Sequence, residues 1–410
     1  MISRISSFFI LLITCITIQA QTIKTGVLVI GNTPAAVAAS IQSARSGAKT
    51  MYLTQSLSVS AIFSTEDLSF IKSIKNHYSL KERKRSKTKD SIIAIPVMLN
   101  QASNLIKGIS DTVNNLTINN NNVVDEIKKD GKSWEIRLKG GQKIKADVVV
   151  DASDNLSIAT MLGIDAKKTM VITGNTINPF ENKLYRSSVA LGYQETGSVF
   201  TIPLGALIPQ AVENLIIIPK QSGKIRVSKM SAGQAGGTIA AYCAFFKTTT
   251  KTINVRVVQG ELLAFDALLM PFADIELKDP NFLAFQRLGL SGLLKSSFSN
   301  GKIQFDTAGL VRAEDLRGSM KEFYTRSQLW FADNKKDTLT INDAISLFKY
   351  VANRGNELNK EIEEGWKVSF KLNSIFDPKK NINRKEFGIL ADKYLQPYNI
   401  RVDLSGNLMR

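Results

Sequence analysis

The stretch from Thr25 to Thr54 constrains this chain more than any other. Gly26-Val-Leu-Val-Ile30 is a continuous apolar run of the kind that fills a strand buried on both faces. Gly31 to Ala36 is a turn, and a helix of small residues follows from about Pro34 to Ser46. Pro34 suits the first helical position, where its missing N–H would have had no partner. Gly47 ends the helix, and Lys49 to Thr54 makes a second strand. A strand, a tight glycine turn, a helix and a parallel strand form the unit that holds a mononucleotide at the helix N-terminus.

A second strand-rich region lies further on. Short strands are expected at Leu116–Asn119, Val123–Ile127, Ser133–Leu138 and Gln142–Lys145, with turns at Asp130-Gly131 and Gly140-Gly141. Together they read as a β-meander. It runs into Ala146-Asp-Val-Val-Val-Asp151, a buried strand. Another buried strand follows at Asn214–Ile218, and then a helix that starts near Gly233 and runs through Ala244. A further helix is expected from Pro96 to Ile109. Beyond Val257 helical periodicity dominates, as in Val311–Tyr324, Thr340–Val351 and Arg384–Leu395. Phe305-Asp306 with Arg312-Ala-Glu314 and Phe376-Asp377 with Arg384-Lys-Glu386 form a loose two-copy repeat. With 410 residues, 44% of them hydrophobic, there is ample material for two domains. The boundary is placed at 256/257.

The first twenty residues read as a secretory signal. Arg4 gives a positive start, Phe8–Ile18 is apolar but too short to span a bilayer, and Ala20 precedes a cut at Gln21. Cys15 offers a lipoprotein alternative. The expected location is therefore periplasmic or extracellular, and no other segment reads as membrane-spanning. The mature chain keeps a single cysteine, Cys243, in an apolar run that reads as core.

Net charge is +17. Much of it sits in Lys72–Lys89, where eight basic residues face only Glu82. This stretch is either a solvated loop or a landing site for an anionic glycan or membrane surface. Export and the lack of interleaved aromatics argue against nucleic acid. The one histidine, His77, has no visible catalytic partner, and Cys and His are too few for a zinc site. Asp377–Asn381 has lysines where a calcium loop needs carboxylates. Any enzyme built on this chain needs a cofactor to carry its chemistry.

Four blocks together resemble the FAD-dependent oxidoreductase family, with its glutathione-reductase-like flavin fold. They are Val27–Ala39, Val148-Val-Val-Asp-Ala-Ser153, Ile202–Pro209 with Val212–Ile216, and Ile225-Arg-Val227 with Ala232-Gly-Gln-Ala-Gly-Gly237. Phe272-Ala-Asp274 and Arg384–Phe387 resemble surface-layer-homology helices. The resemblance implies an α/β fold: a Rossmann-like FAD/NAD(P)-binding domain of three ββα layers with a β-meander, plus a mostly helical C-terminal domain. It also implies FAD as cofactor, held by Gly31, Thr33, Pro34, Ala35, Ala36, Thr54, Ala152, Gly233, Gln234 and Gly236.

Several positions depart from that pattern. Thr33 stands where a second glycine lets backbone approach the pyrophosphate, and its side chain is expected to intrude there. Thr54 replaces the acid that holds the ribose hydroxyls. Ser60-Ala61, Asp154, Leu156 and Pro219-Lys220 replace further glycine or arginine positions, and only about fifty residues separate Asp151 from Ile202. Two readings stay open. One is an exported flavoenzyme acting on a small or carbohydrate-like molecule. The other is a flavin-free relative that binds or scaffolds, with an anionic glycan as partner.

Overall fold

The computed structural model describes residues 22–55, 113–165, 179–194, 198–218, 225–227 and 229–409. The expected signal, the basic stretch with His77, the Pro96–Ile109 helix, Ser60-Ala61 and Pro219-Lys220 lie outside the described residues.

The opening unit forms where the apolar run and Pro34 predict it: β1 (Ile23–Ile30), α1 (Pro34–Arg45) and β2 (Thr50–Thr54). Next come β3 (Leu116–Asn120), β4 (Val124–Asp130), β5 (Ser133–Leu138), β6 (Lys143–Asp151) and the short helix α2 (Ser157–Met161). The segments expected separately at Gln142–Lys145 and Ala146–Asp151 are the one strand β6. A second sheet contains β7 (Ser188–Gln194), β8 (Val199–Pro203) and β10 (Ile225–Val227), in the order β10-β7-β8. Between β8 and β10, β9 (Leu215–Ile217) returns to the main sheet beside β6.

The main sheet runs β3-β2-β1-β6-β5-β4. β3 was expected to open the meander, but it lies parallel to β2, with Leu116 opposite Thr50. Alternation of apolar residues looks alike in a hairpin strand and in a parallel neighbour, so local pattern does not separate the two. The meander proper is β4-β5-β6, antiparallel throughout. A flat sheet would hold β3 and β4 about 24 Å apart, five steps of about 4.8 Å. The chain from Asn120 to Val124 reaches about 14 Å at most. The sheet therefore folds over, and the meander covers one face of the parallel strands.

Side-chain alternation along β1 gives three layers. Val27 and Val29 join the cluster that includes α1, while Leu28 and Ile30 pack with Val124, Ile127, Trp134 and Ile136 of the meander. β6 belongs to both systems. Its first half pairs with β5, and Val149–Asp151 pair with β9. The fold is thus α/β, with a Rossmann-like sheet between a helical layer and a meander.

The helix α3 (Lys229–Phe245) begins four residues before the expected Gly233. It lies against α1 at backbone distance. A Cβ on Gly233 would sit 2.2 Å from the Ala35 carbonyl oxygen, and one on Gly237 would sit 2.3 Å from that of Ala39. α4 (Val255–Ala264) follows, capped by Asn254, and straddles the expected boundary at 256/257.

The remainder is mainly helical: α5 (Phe282–Ser291), the hairpin β11 (Ser297–Ser299) and β12 (Lys302–Gln304), α6 (Ala313–Phe323), α7 (Ser327–Asp333), α8 (Ile341–Ala352), α9 (Glu357–Val368) and α10 (Arg384–Tyr394). The repeat has three copies rather than two. The backbone N–H of Val311 donates to Ile382, that of Ile382 to Leu339, and that of Leu339 to Val311, at 3.1, 2.9 and 3.0 Å. An outer ring repeats the cycle: Ala313 to Asp337, Ile341 to Lys380 and Arg384 to Gly309. Each copy leads into a helix, namely α6, α8 and α10. The copy at Thr340 lacks the Phe-Asp and Arg-x-Glu marks of the other two, so pattern alone missed it. One apolar cluster runs from Val27 through α3 and α4 into this helical unit as far as Val402. Among the described residues no helix is long and apolar enough to cross a membrane.

Candidate nucleotide-binding turn

The C-terminal ends of β1, β2 and β6 lie side by side, with Ile30 opposite both Leu53 and Asp151. The turn into α1 starts from this edge. Gly31 has φ +148°, and its N–H donates to the Leu53 carbonyl at 3.2 Å. A Cβ there would meet the Ala152 carbonyl oxygen at 2.4 Å. Glycine is therefore required both by conformation and by the closeness of the chain that leaves β6.

Thr33 is the N-cap of α1. Its hydroxyl accepts the Ala36 N–H at 3.1 Å and donates to the Ala152 carbonyl at 2.7 Å. The residue is buried. The hydroxyl therefore faces inward, to the chain leaving β6 and the first turn of α1. The expectation that it would intrude on a phosphate gives way to a double hydrogen bond that ties the turn down. The same bond occupies one helix N-terminal N–H that a phosphate would otherwise use. Pro34 takes the first helical position, and Ala35 and Ala36 are buried behind it.

Thr54 ends β2. It is buried, and its carbonyl accepts the Asn121 N–H at 3.0 Å. Burial pushes the neighbouring Tyr52 phenol up to about 12, with Thr54 as hydrogen-bond partner opposing the shift. The structure therefore gathers Gly31, Thr33, Ala35, Ala36 and Ala152 at one turn, with Thr54 one strand away. Gly233 and Gly236 sit behind it as packing positions. A Cβ on Gly236 would meet Ile218 Cδ1 at 2.4 Å. Gln234 is buried, and its Nε2 donates to Gln42 Oε1 on α1 at 3.2 Å.

Asp151 lies in the Val148–Ser153 block, to which sequence alone attaches no role. It is fully buried at the end of β6. Oδ1 accepts from the Ser153 N–H and hydroxyl, at 3.2 and 2.6 Å, and Oδ2 from the N–H groups of Ile158 and Ala159, at 2.9 and 3.0 Å. Burial raises its pKa, and these donors oppose the rise. The signal was present as Asp-x-Ser just before a short helix, a local turn pattern. With four donors on its oxygens, Asp151 holds the loop and the start of α2.

The backbone of this turn fits a dinucleotide: a strand end, a close-packed glycine and a helix N-terminus. The side chains add little charge to that fit, since Thr54 is neutral and Asp151 is engaged.

Architecture and turn together define a Rossmann-like α/β fold with a glycine turn at a helix start. Residues 182–262, from before β7 into α4, match the family model described as FAD dependent oxidoreductase. No curated protein matches by sequence. Among solved structures, p-nitrophenol 4-monooxygenase of Pseudomonas putida is similar at 16% identity, covering 32% of this chain and 40% of its own, with a TM-score of 0.24. Bacillithiol disulfide reductase of Staphylococcus aureus is similar at 17% identity, covering 32% and 38%, with a TM-score of 0.22. A flavoprotein/dehydrogenase of Cytophaga hutchinsonii is similar at 21% identity, covering 34% and 42%, with a TM-score of 0.24. The matched part spans less than half the length of each.

Proposed function

We propose that this chain is an exported FAD-dependent oxidoreductase acting on a small or carbohydrate-like molecule. The observation that carries the reading is the Gly31 turn, seated on Ala152 at the ends of three adjacent strands with the start of α1 above it. The family match over residues 182–262 supports it independently. At the start of α1 the Ala35 N–H would face the phosphates, since Pro34 has no N–H and that of Ala36 is bonded to the Thr33 hydroxyl. Gly31 and Ala152 would keep the turn tight, and Thr54 would offer ribose a hydroxyl in place of a carboxylate. Gly233, Gln234 and Gly236 would hold α3 in place behind them. FAD, when bound, supplies a two-electron acceptor. Asp151 moves no proton in this reading, because its oxygens hold backbone and Ser153.

A flavin-free relative is the second reading. It is favoured by the Thr33 hydroxyl bonded to the Ala36 N–H and by the neutral Thr54. The purified chain should be yellow, and added FAD at a hundredfold excess over its Kd should stabilise it by about 2.7 kcal/mol. A colourless preparation that FAD leaves unstabilised overturns the first reading. The Thr33→Gly, Thr54→Glu double variant is expected to tighten FAD binding if the weakness is confined to these two side chains.

A further inference from the structure

The edge of the sheet opposite the nucleotide turn carries a second surface. α3 ends there in two exposed aromatic rings, Phe245 at 67% and Phe246 at 56% relative exposure. Their ring centroids are 5.1 Å apart, and Tyr242 backs Phe246 at 4.8 Å. Beside Phe245 is an open cavity of about 580 Å³ rimmed by Lys24, Lys49, Lys145 and Lys247, with Asp147 as the one acidic residue. Lys24 and Lys145 face each other across the β1–β6 pairing. Lys247 pairs with Asp147 at 2.9 Å and Lys145 with Asp130 at 2.5 Å. Among the described residues no carboxylate pairs with the exposed Lys24 or Lys49.

Two adjacent exposed phenylalanines are costly in water, and nothing in the local fold requires them to stand out. Lysines around an apolar point are what an anionic bilayer recognises: charge attracts the surface, and aromatic rings enter at headgroup depth. A soluble anion would satisfy the lysines but leave the rings wet.

We propose that this end of the molecule is a docking surface for an anionic phospholipid bilayer, with Phe245 and Phe246 inserting and Lys24, Lys49 and Lys247 lying against the headgroups. The surface is independent of the nucleotide turn. That turn lies at the far ends of β1 and β2, so it faces away from the bilayer.

The test is co-sedimentation of the full chain with phosphatidylcholine vesicles, with and without about one-third phosphatidylserine or phosphatidylglycerol. Binding to the anionic vesicles, weakened by added salt and absent on phosphatidylcholine alone, is expected. Phe245→Ser with Phe246→Ser should weaken it at least tenfold, and Lys24→Gln with Lys49→Gln roughly tenfold or more, with unchanged melting temperatures. Equal binding to neutral vesicles, no binding to either, or binding that both double variants leave intact overturns the proposal. The last outcome would place the contact elsewhere, for instance on Lys72–Lys89. Sedimentation velocity supplies a further check. If the chain is a dimer that the phenylalanine variant turns into a monomer, the face is a self-association surface and the proposal fails.

Discussion

At the scale of single residues, the nucleotide turn depends on two side-chain facts, an absent Cβ and an inward hydroxyl. Gly31→Ala would force a Cβ to 2.4 Å from the Ala152 oxygen at φ +148°. The expected loss is about 3 kcal/mol, from backbone strain and overpacking together, measured as a shift in denaturant midpoint. Thr33→Val keeps the shape but loses the bonds to Ala36 and Ala152, and should cost about 1–2 kcal/mol in the same assay. A further residue-scale site is Arg186, buried in front of β7. Its guanidinium grips Glu322 on α6 with two bonds of 2.9 Å, and Lys183 adds a third at 2.8 Å. The Arg186 contact holds the Glu322 carboxyl at about 2, below its ordinary 4.5. A depressed folded-state pKa stabilises the protein above the unfolded value and loses that contribution as pH falls toward the folded one. Stability is therefore expected to decline between about pH 4.5 and 2 through this group. In Glu322→Gln, acid titration followed by circular dichroism should lack that component of the decline.

At the scale of elements, the pairing of α1 with α3 is decided by glycines that bring backbone to backbone. Gly233→Ala and Gly237→Ala each place a methyl within 2.3 Å of a carbonyl oxygen on the other helix. Neither backbone gives way cheaply, so each substitution should cost about 3 kcal/mol or more in thermal or chemical unfolding. Gly318 in α6 is the control. A Cβ there has nothing within 4 Å, so Gly318→Ala should stabilise by about 0.5–1 kcal/mol. If both classes of substitution behaved alike, the close helix contact would not be holding the fold. The Gln42–Gln234 amide contact sits in the same interface, so that α1 and α3 are matched in polarity as well as shape.

At the scale of the whole molecule, the sheet domain and the helical unit share one apolar cluster and a buried polar seam. Arg256 on α4 donates to the carbonyls of Ile400, Arg186 and Leu290 and stacks over Tyr398 at 4.8 Å. Burial lowers its pKa to about 10, still charged at neutral pH. Gln259 adds bonds to the carbonyls of Arg186 and Ser188. Two parts joined this way should unfold together, and calorimetry is expected to give one transition, with Arg256→Met lowering it by about 3 kcal/mol of stability. Two resolved transitions would mean that the seam does not couple the parts.

The first βαβ unit, α3 and the last helices were legible in the sequence because their cause is local: apolar runs, small-residue spacing, Pro34 at a helix start and Gly47 at its end. The strands Ser133–Leu138 and Leu215–Ile217 were legible for the same reason. Gly31 was legible as a turn glycine. The placement of β3 beside β2, the folding of the meander over the sheet and the third copy in the backbone ring were not. Each depends on which distant segment supplies the partner carbonyl, and residues with the same alternation satisfy several partners equally. The roles of Thr33 and Asp151 lay in the same blind spot. A hydroxyl or carboxylate announces that it can make hydrogen bonds, but only the arrival of β6 beside the turn decided where they point. The sequence by itself determined the elements and their apolar faces, since periodicity and capping act over a few residues. Tertiary structure alone decided strand order, the backbone contact of α1 with α3 and the inward direction of Thr33, because these arise where segments far apart in the sequence meet at close distance.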